Sequence, residues 1–408
     1  MEYLKLGLRN ILRNGRRSLV TVLAVAFGFA SINLFSGYIH NVYAGLSKQA
    51  IRGERLGDLT IMKKGGRENG KLDPEKYLFG GIELQRLLTT LRADPDVALA
   101  TMKLEASGLI SNGKVSTIFI GEGMVPADAI KLRGDFRKDR GGVLDPSKPD
   151  AGLVAVGLAQ MLKLQPGQYA TLLTSTLSGQ TNALDMEIAN TFNTGNAGTN
   201  DKFLLLPLAF TQRLLATDGA DRVVVLLHDG SHLEQARTKI GTDLAAAGFK
   251  VELYTWKDLS DFYKQVRKLF DMIFAFIFSI VLIVVLMSIF NTMTMSVVER
   301  TREIGTLRAL GMNRRQVSLL FTVEAIELIL LGGVTGALLT LIVAVSVNAF
   351  GFSYVPPNSS DSVHLAIDFV PVTMILAFAL LTAVGSIAAL IPARHATRMK
   401  VVDALGHV

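Results

Sequence analysis

The sequence predicts an α-helical membrane protein with four transmembrane helices and a large mixed α/β extracytoplasmic (periplasmic) domain inserted between spans one and two. Three observations carry this. Four apolar segments are each long enough to cross a bilayer. Arginine and lysine gather in the segments flanking those spans on one side, and the long stretch between spans one and two mixes both signs of charge. That stretch also alternates helical and strand patterns instead of staying apolar.

The chain has 408 residues, 50% of them hydrophobic and 19% charged. It is too apolar for an ordinary soluble enzyme and too charged to lie wholly in lipid. A bilayer core of roughly 30 Å needs about 20 apolar residues as helix. Segments 18–39 and 272–298 hold no charge at all, and 328–347 and 369–393 complete the set. The first exceeds a secretory h-region of roughly 7 to 15 residues and no A-x-A-like site follows it, so it reads as an uncleaved span.

Taken in order, residues 1–17 form a cytoplasmic amphipathic helix. Leu4, Leu8, Ile11 and Leu12 share one face, and Lys5, Arg9, Arg13 and Arg16 another, a pattern that suits the inner membrane surface. Span one is 18–39 and the periplasmic domain 40–267. Span two is 268–298, a cytoplasmic coupling loop or helix 299–318, and span three 319–347. A short periplasmic loop, 348–368, leads to span four, 369–393, and a cytoplasmic tail, 394–408. The net charge of +7 is concentrated in the tail before Ser18, in 299–318 and after Ala393. The positive-inside rule makes that a topology signal, with both termini cytoplasmic, and not a nucleic-acid footprint. The chain has no cysteine, which excludes disulfides, thiolate metal sites and a lipid anchor on a cysteine.

Within the periplasmic domain, Leu84, Leu87, Leu88 and Leu91 predict an amphipathic helix ended by Asp94-Pro95. Segments 109–111 and 114–120 flank Asn112-Gly113, a two-residue hairpin signal. A short helix is expected over 157–164, a strand over 222–227, a helix over 233–247 and a loop over 193–200. Leu259, Phe262, Tyr263, Val266 and Phe270 keep helical spacing upstream of span two. One stalk helix is therefore expected from about 256 through the membrane to 298.

The loop joining spans two and three reads VVERTREIGTLRALGMNRRQVSLL. Arg302 to Leu310 predicts a short helix stopped by Gly311. Ile304, Leu307 and Leu310 recur at three-residue spacing among charges, which suits docking onto another protein. In span three, Gly332, Gly333 and Gly336 contain a G-x-x-x-G pattern that permits close helix approach, to a neighbour in this chain or in a partner. Glu324 and Glu327, at the edge of that span, are expected to pair with Arg314 or Arg315, or to snorkel, rather than to relay protons.

Three fragments imitate nucleotide sites. Gly65 to Lys71 and Gly108 to Lys114 have P-loop glycine and lysine spacing but continue with Leu72 and Val115 in place of Ser or Thr. Leu177-Ser178-Gly179-Gln180 matches half of an ABC signature but lacks a glycine and the helix that would follow it. His228 and His232 lack any zincin carboxylate motif. No cofactor or metal is expected on this chain, and it is expected to be non-catalytic.

From Glu299 to Gln316 the loop resembles that of the MacB/FtsX/LolC-type permeases of ABC transporters, E-R-x-x-E-I-G-x-L-R-A-L-G-x-x-R-x-Q. The end of span four resembles the same family through Pro392, Ala393, Arg394, Ala396, Val402, Ala404 and Leu405, with Val401 where proline is usual. The N-terminal LRNILRNGRRSLVT is similar too, and Glu324 matches a glutamate often present there. The resemblance implies a bacterial inner-membrane, multi-pass permease, dimeric with a second copy or a paralogue. A separate cytosolic ABC ATPase dimer would hold ATP and Mg and would dock on Glu299, Arg302, Glu303, Ile304, Gly305, Leu307, Arg308, Leu310 and Gly311. ATP-driven closure would reach the periplasmic domain as a mechanical motion within membrane lipids.

Lipoprotein release towards the outer membrane is the first expectation, from the chain's length and the lack of an ATPase segment in it. Export of hydrophobic compounds or peptides with an adaptor and an outer-membrane duct is the second, and signalling to cell-wall hydrolases the third. A hook for a periplasmic carrier or adaptor would fall at 174–185, on Thr174, Ser178, Asn182 and Asp185, in a segment that is short and has no proline. The topology is tested by single cysteines. Those at Asn112 and Asn196 are expected to react with an impermeant thiol reagent in intact cells, and one at Asn313 to stay unlabelled. Labelling of Asn313 from outside overturns the layout.

Overall fold

The computed structural model describes residues 9–11, 13, 15–136, 141–356, 359–360 and 362–398. Leu4, Lys5, Leu8 and Leu12 of the expected amphipathic helix lie outside the described residues, as do Lys400, Val401, Val402, Ala404 and Leu405 and the side chains of Ala396 and Arg398. The chain divides into two units. One takes Met1–Tyr43, Val266–Ser353 and His364–Val408, and the other Ala44–Gln265 and Tyr354–Val363.

Among the described residues, four helices are long and apolar enough to cross a membrane: Gly15–Gly53, Asp261–Glu299, Arg314–Phe350 and Pro371–His395. The first ends in a π turn, Gln49–Gly53. In the helical unit their shared core is built by Val25, Phe29 and Ile32, by Val285 and Ile289, by Leu328 and Ile329, and by Leu381. The three glycines of the third helix explain how closely it packs. A Cβ on Gly336 would fall 2.7 Å from the Ala26 carbonyl oxygen, and one on Gly332 would fall 2.6 Å from Val25 Cβ. Gly333 meets Phe378 in the same way, at 2.5 Å. The neighbours these glycines admit thus belong to the same chain, on the first and fourth helices. The Thr21 and Thr292 hydroxyls, 2.6 Å apart, satisfy one another inside this core.

The expected continuous stalk is interrupted. A turn of helix, Trp256–Leu259, is followed by Ser260 in extended geometry (φ −83°, ψ 92°), and the long helix begins only at Asp261. Thr255 and Asp258 form a capping box that starts the short turn. The Ser260 hydroxyl then accepts from the Tyr263 N–H at 3.4 Å. These side-chain oxygens offer the backbone local partners that compete with an unbroken helix.

The second unit is mixed α/β, as expected. Its strands are β1 (Leu59–Lys63), β2 (Val97–Ser111), β3 (Ser116–Met124), β4 (Ala151–Ala155), β5 (Tyr169–Ser175), β6 (Thr181–Phe192), β7 (Phe203–Pro207), β8 (Arg222–Leu227) and β9 (Val251–Thr255). They run in the order β3-β7-β4-β6-β5-β2-β8-β1-β9, and a further β3–β2 pairing closes the first six into a ring. Strand β2 makes this possible by its length. Its first half, 97–103, pairs with β8, while 103–111 pair with β3 and 109–111 also with β5. Helix Leu208–Leu215 touches five strands of the ring, β2, β3, β5, β6 and β7. Its Thr211 lies where a Cβ on Gly123 would come within 2.4 Å, so only glycine fits there.

The helix signalled by Leu84, Leu87, Leu88 and Leu91 spans Gly81–Arg92, with all four leucines buried. The helices at Val156–Leu162 and Leu233–Ala246 and the strand Arg222–Leu227 lie where their patterns placed them. The hairpin is wider than expected. Asn112 Oδ1 accepts from the N–H groups of Lys114 (2.9 Å) and Val115 (2.8 Å), so Ser111–Ser116 is the last pair and four residues make the turn.

Charged residues on β2, β3 and β8, Lys103 fully buried and the others partly so, form a checkerboard. Lys103 lies directly across from Arg222, and Glu105 directly across from Glu122. Like charges directly opposed are unfavourable, and the pairing runs diagonally. Lys103 Nζ is 2.5 Å from Glu122, and Arg222 Nη2 is 2.6 Å from Glu105. Arg55, held at φ +55°, adds a bond to Glu122 at 2.8 Å and stacks over the Phe203 ring. Burial pushes the Glu122 carboxyl up, but the charges of Lys103 and Arg55 and their hydrogen bonds outweigh it and hold it at about 2. At Lys103 burial is the stronger influence and keeps the ammonium below its ordinary value.

A carboxyl depressed on folding contributes stability that is present above its ordinary value, 4.5, and is lost as pH falls towards about 2. Trp256, the one tryptophan, is buried in this unit and reports its unfolding. Lys103→Met leaves Glu122 with Arg55 alone, and losing one partner of a buried pair costs about 3–5 kcal/mol. The fluorescence change on acidification is expected at higher pH in that variant; an unchanged acid profile would show that Lys103 does not set it.

Candidate coupling site

The loop between the second and third long helices folds as expected in outline. The long helix stops at Glu299, Arg300 leaves helical geometry (φ −109°, ψ 15°), and Thr301–Ala309 forms the short helix. Gly311 at φ +101° reverses the chain after it. Asn313 and Gln316 then form a reciprocal capping box that starts the third long helix.

The expected docking residues divide into two sets. Ile304 is buried with Val297, Val317, Phe321 and Ala393, and Gly305 is buried beside it. Ile304 therefore fixes the short helix to its own unit and is not an outward docking residue, as its spacing had suggested. Leu307 is half-buried, while Leu310 is 81% exposed and Arg302 and Gly311 face outward. Glu299 accepts two bonds from the Arg17 guanidinium, at 2.6 and 3.0 Å, and Glu303 lies 3.5 Å from Arg13. These carboxylates tie the loop to the first helix of the chain. Arg308 is half-buried.

Glu324 takes neither Arg314 nor Arg315 as its partner. It is buried and lies 3.1 Å from Arg300 Nη1, with Ser296 Oγ at 3.3 Å and Asn10 Nδ2 at 3.4 Å also donating to it. Arg314 and Arg315 are exposed. The reason lies in helix geometry: both start the helix that carries Glu324, whereas Arg300 sits at the break before the short helix and turns inward. Sequence reasoning gave Arg300 only to the basic loop. Its place two residues past the uncharged segment 272–298, with a glutamate in the next span, was the signal available.

The residues expected to form a carrier hook serve a tight hairpin. Thr174 Oγ1 donates to the Ser107 carbonyl at 2.6 Å, and Asn182 Nδ2 to the carbonyls of Arg213 (3.0 Å) and Leu214 (2.9 Å). Asp185 accepts from Thr171 Oγ1 at 2.7 Å, and the Ser178 and Thr176 hydroxyls are 3.1 Å apart. The Thr176 N–H to Gln180 carbonyl bond closes the turn at 2.7 Å. Each of these polar groups is bonded within the hairpin or to the strand and helix beside it.

Removing Arg300 would leave a buried carboxylate without its cation. Arg300→Met is expected to lower the stability of the helical unit by about 3–5 kcal/mol, and Arg300→Met with Glu324→Leu to recover most of it. Thermal loss of helical circular dichroism in detergent measures both. A double variant as unstable as the single one would show that the pair is not coupled.

Residues 18–242 match the family model described as MacB-like periplasmic core domain, and residues 275–401 match FtsX-like permease C-terminal. The chain is 26% identical over 422 residues to the macrolide export ATP-binding/permease protein MacB of Photorhabdus laumondii, and 24% over 412 residues to that of Escherichia coli strain K12. Each match covers 99% of this chain, which spans 60% of the length of those relatives. A crystal structure of the periplasmic region of MacB from Actinobacillus actinomycetemcomitans is also similar. It covers 53% of this chain and 95% of its own, with a TM-score of 0.37 and 14% identity. The first family model takes in more than half of the residues, and the chain belongs to the MacB/FtsX type of ABC transporter permease, with a MacB-like periplasmic core domain.

Proposed function

We propose that this permease couples ATP hydrolysis on a cytosolic ATPase to motion of its α/β unit, and that the motion drives export of hydrophobic compounds across the envelope. The observation that carries the coupling is the uninterrupted helix Asp261–Glu299, followed after one residue by Thr301–Ala309. A helix of 39 residues rises about 58 Å at roughly 1.5 Å per residue, well beyond a hydrocarbon core of roughly 30 Å. Displacement of the short helix would therefore move a stiff rod that extends past the membrane. Leu310, with Leu307 beside it, supplies the apolar contact for the ATPase, and Arg302, Arg314 and Arg315 the basic rim. The ATPase acts on a dimer of this permease, or on a pair with a paralogue, in a bacterial inner membrane with both termini cytoplasmic.

Export is supported over lipoprotein release by the names of the relatives, which are macrolide exporters. The hairpin at 174–185 supports it too, because Thr174, Asn182 and Asp185 are engaged within the unit rather than offered to a carrier. Those relatives join ATP-binding and permease functions in one name, so the ATPase is sought both as a separate subunit and on the same gene product.

Two variants test the coupling together. Leu310→Asp is expected to lose ATPase co-purification. Replacing Lys268 and Leu269 by Gly-Gly costs roughly 1 kcal/mol of helix propensity per residue. It is expected to keep ATPase binding and basal hydrolysis while efflux of a macrolide from cells falls several-fold. Full efflux from the Gly-Gly variant would sink the rod mechanism, and normal co-purification of Leu310→Asp would sink the docking site.

A further inference from the structure

The α/β unit holds a cleft between the last turn of the first helix and Arg55 just after it, helix Pro126–Arg133, and strands β4, β6 and β7. The space within it that the centre of a water-sized sphere can reach is about 60 Å³. Its floor is made by Leu144, Leu153, Phe192 and Leu205, all buried, while Ile130 and Val143 leave apolar surface open at 38% and 44% exposure. Among the described residues, the charged ones lining it are Arg52, Arg55 and Arg133.

The three guanidiniums differ in what they already hold. Arg55 is paired with Glu122, and Arg133 donates to the carbonyls of Gly141 and Gly142, both at 3.1 Å. Arg52 donates from Nη1 to the Leu132 carbonyl at 3.0 Å, and among the described residues it forms no ion pair. The cleft is shaped around it. A Cβ on Gly134 would fall 2.9 Å from Arg52 Nη1, and Gly134 sits at φ +54°, where a side chain is strained. The Asp58 carboxyl feels the charge of Arg52 but makes no ion pair with it, so the half-buried guanidinium stands beside open apolar surface with hydrogen-bonding capacity left for an anion. Carboxylates and phosphates fit a guanidinium fork through two parallel hydrogen bonds.

We propose that this cleft binds an anionic amphiphile: a single apolar chain ended by a carboxylate or a phosphate, its head on Arg52 and its chain against Ile130, Val143 and Phe192. The site lies within one unit and stands independently of the transport reading, since occupancy requires neither ATP nor a partner.

The test uses the full chain in nanodiscs of zwitterionic lipid, with a decanoate carrying a diazirine on its chain and adducts mapped by peptide mass spectrometry. Labelling is expected on peptides holding Ile130, Val143 or Phe192, reduced about tenfold or more in Arg52→Glu. Unlabelled decanoate and decyl phosphate are expected to displace it, the stronger competitor naming the head group, while decyltrimethylammonium does not. Ile130→Trp keeps Arg52 but fills the cleft and is expected to abolish the same adducts. Trp256 fluorescence checks that Arg52→Glu, which adds no tryptophan, is folded, and labelling of the spans by probe dissolved in lipid provides the internal reference. No adduct at these peptides, equal labelling in both variants, or equal displacement by the cationic amphiphile overturns the proposal.

Discussion

Arg300 leaves helical geometry at the end of Asp261–Glu299 and turns its guanidinium inward to Glu324, where both side chains are buried. Two charges removed from water at this depth hold only while they hold each other. That condition fixes where the long helix stops and how the short one starts. The Thr301 hydroxyl returns to the Val297 carbonyl, the Ile304 N–H to the Arg300 carbonyl, and Ile304 then drops into the apolar cluster under Phe321. Arg17 and Arg13 reach Glu299 and Glu303 from the first helix. Once these partners are assigned, the outward surface of the loop is what remains: Leu310, Arg302, Arg314 and Arg315.

The sequence made some of this legible and hid the rest, for identifiable reasons. Apolar length gave the span helices, and helical periodicity gave the Leu84 to Leu91 helix, which buries a stripe that recurs with the helix period. Gly311 was legible as a stop because its backbone needs positive φ. The ring of strands was not. Its closure depends on β2 pairing with three other strands along its length, and only hairpin neighbours are signalled locally. Helix Leu208–Leu215, which crosses that ring, was likewise read from no pattern. In the loop, three-residue spacing put Ile304, Leu307 and Leu310 on one list. Spacing cannot say which of three apolar positions faces the protein's own core, and the structure gives Ile304 to that core.

Buried charge follows the same rule in both units, with different geometry. In the helical unit a single pair spans two helices. In the sheet the charges lie two by two on neighbouring strands, where the register places like beside like, and the side chains resolve the conflict along the diagonal. Glu122 compensates Lys103 and Arg55 at once, which is why its carboxyl stays ionised although it is only slightly exposed. Arg52, which makes no ion pair among the described residues and is felt by the Asp58 carboxyl only at a distance, stands at the cleft, where open apolar surface begins.

The break at Ser260 shortens the expected stalk but strengthens the mechanical case for the helix beyond it. A rod transmits force only if its ends are joints, and the two ends of Asp261–Glu299 are built differently. At the first end, Trp256 packs edge-on to Tyr263 with ring centroids 4.7 Å apart, and its N–H is held by the Asp58 carbonyl. This joint is a contact of rings and backbone, and it carries no buried charge pair. At the other end, Arg300 and Glu324 close an ion pair whose cost of opening is electrostatic. In the proposed mechanism the electrostatic joint lies beside the short helix that meets the ATPase, and the aromatic joint lies in the α/β unit. Rigidity is thus required along the helix between them, and compliance, where the stroke needs it, falls at Ser260, the residue whose backbone has already left the helix.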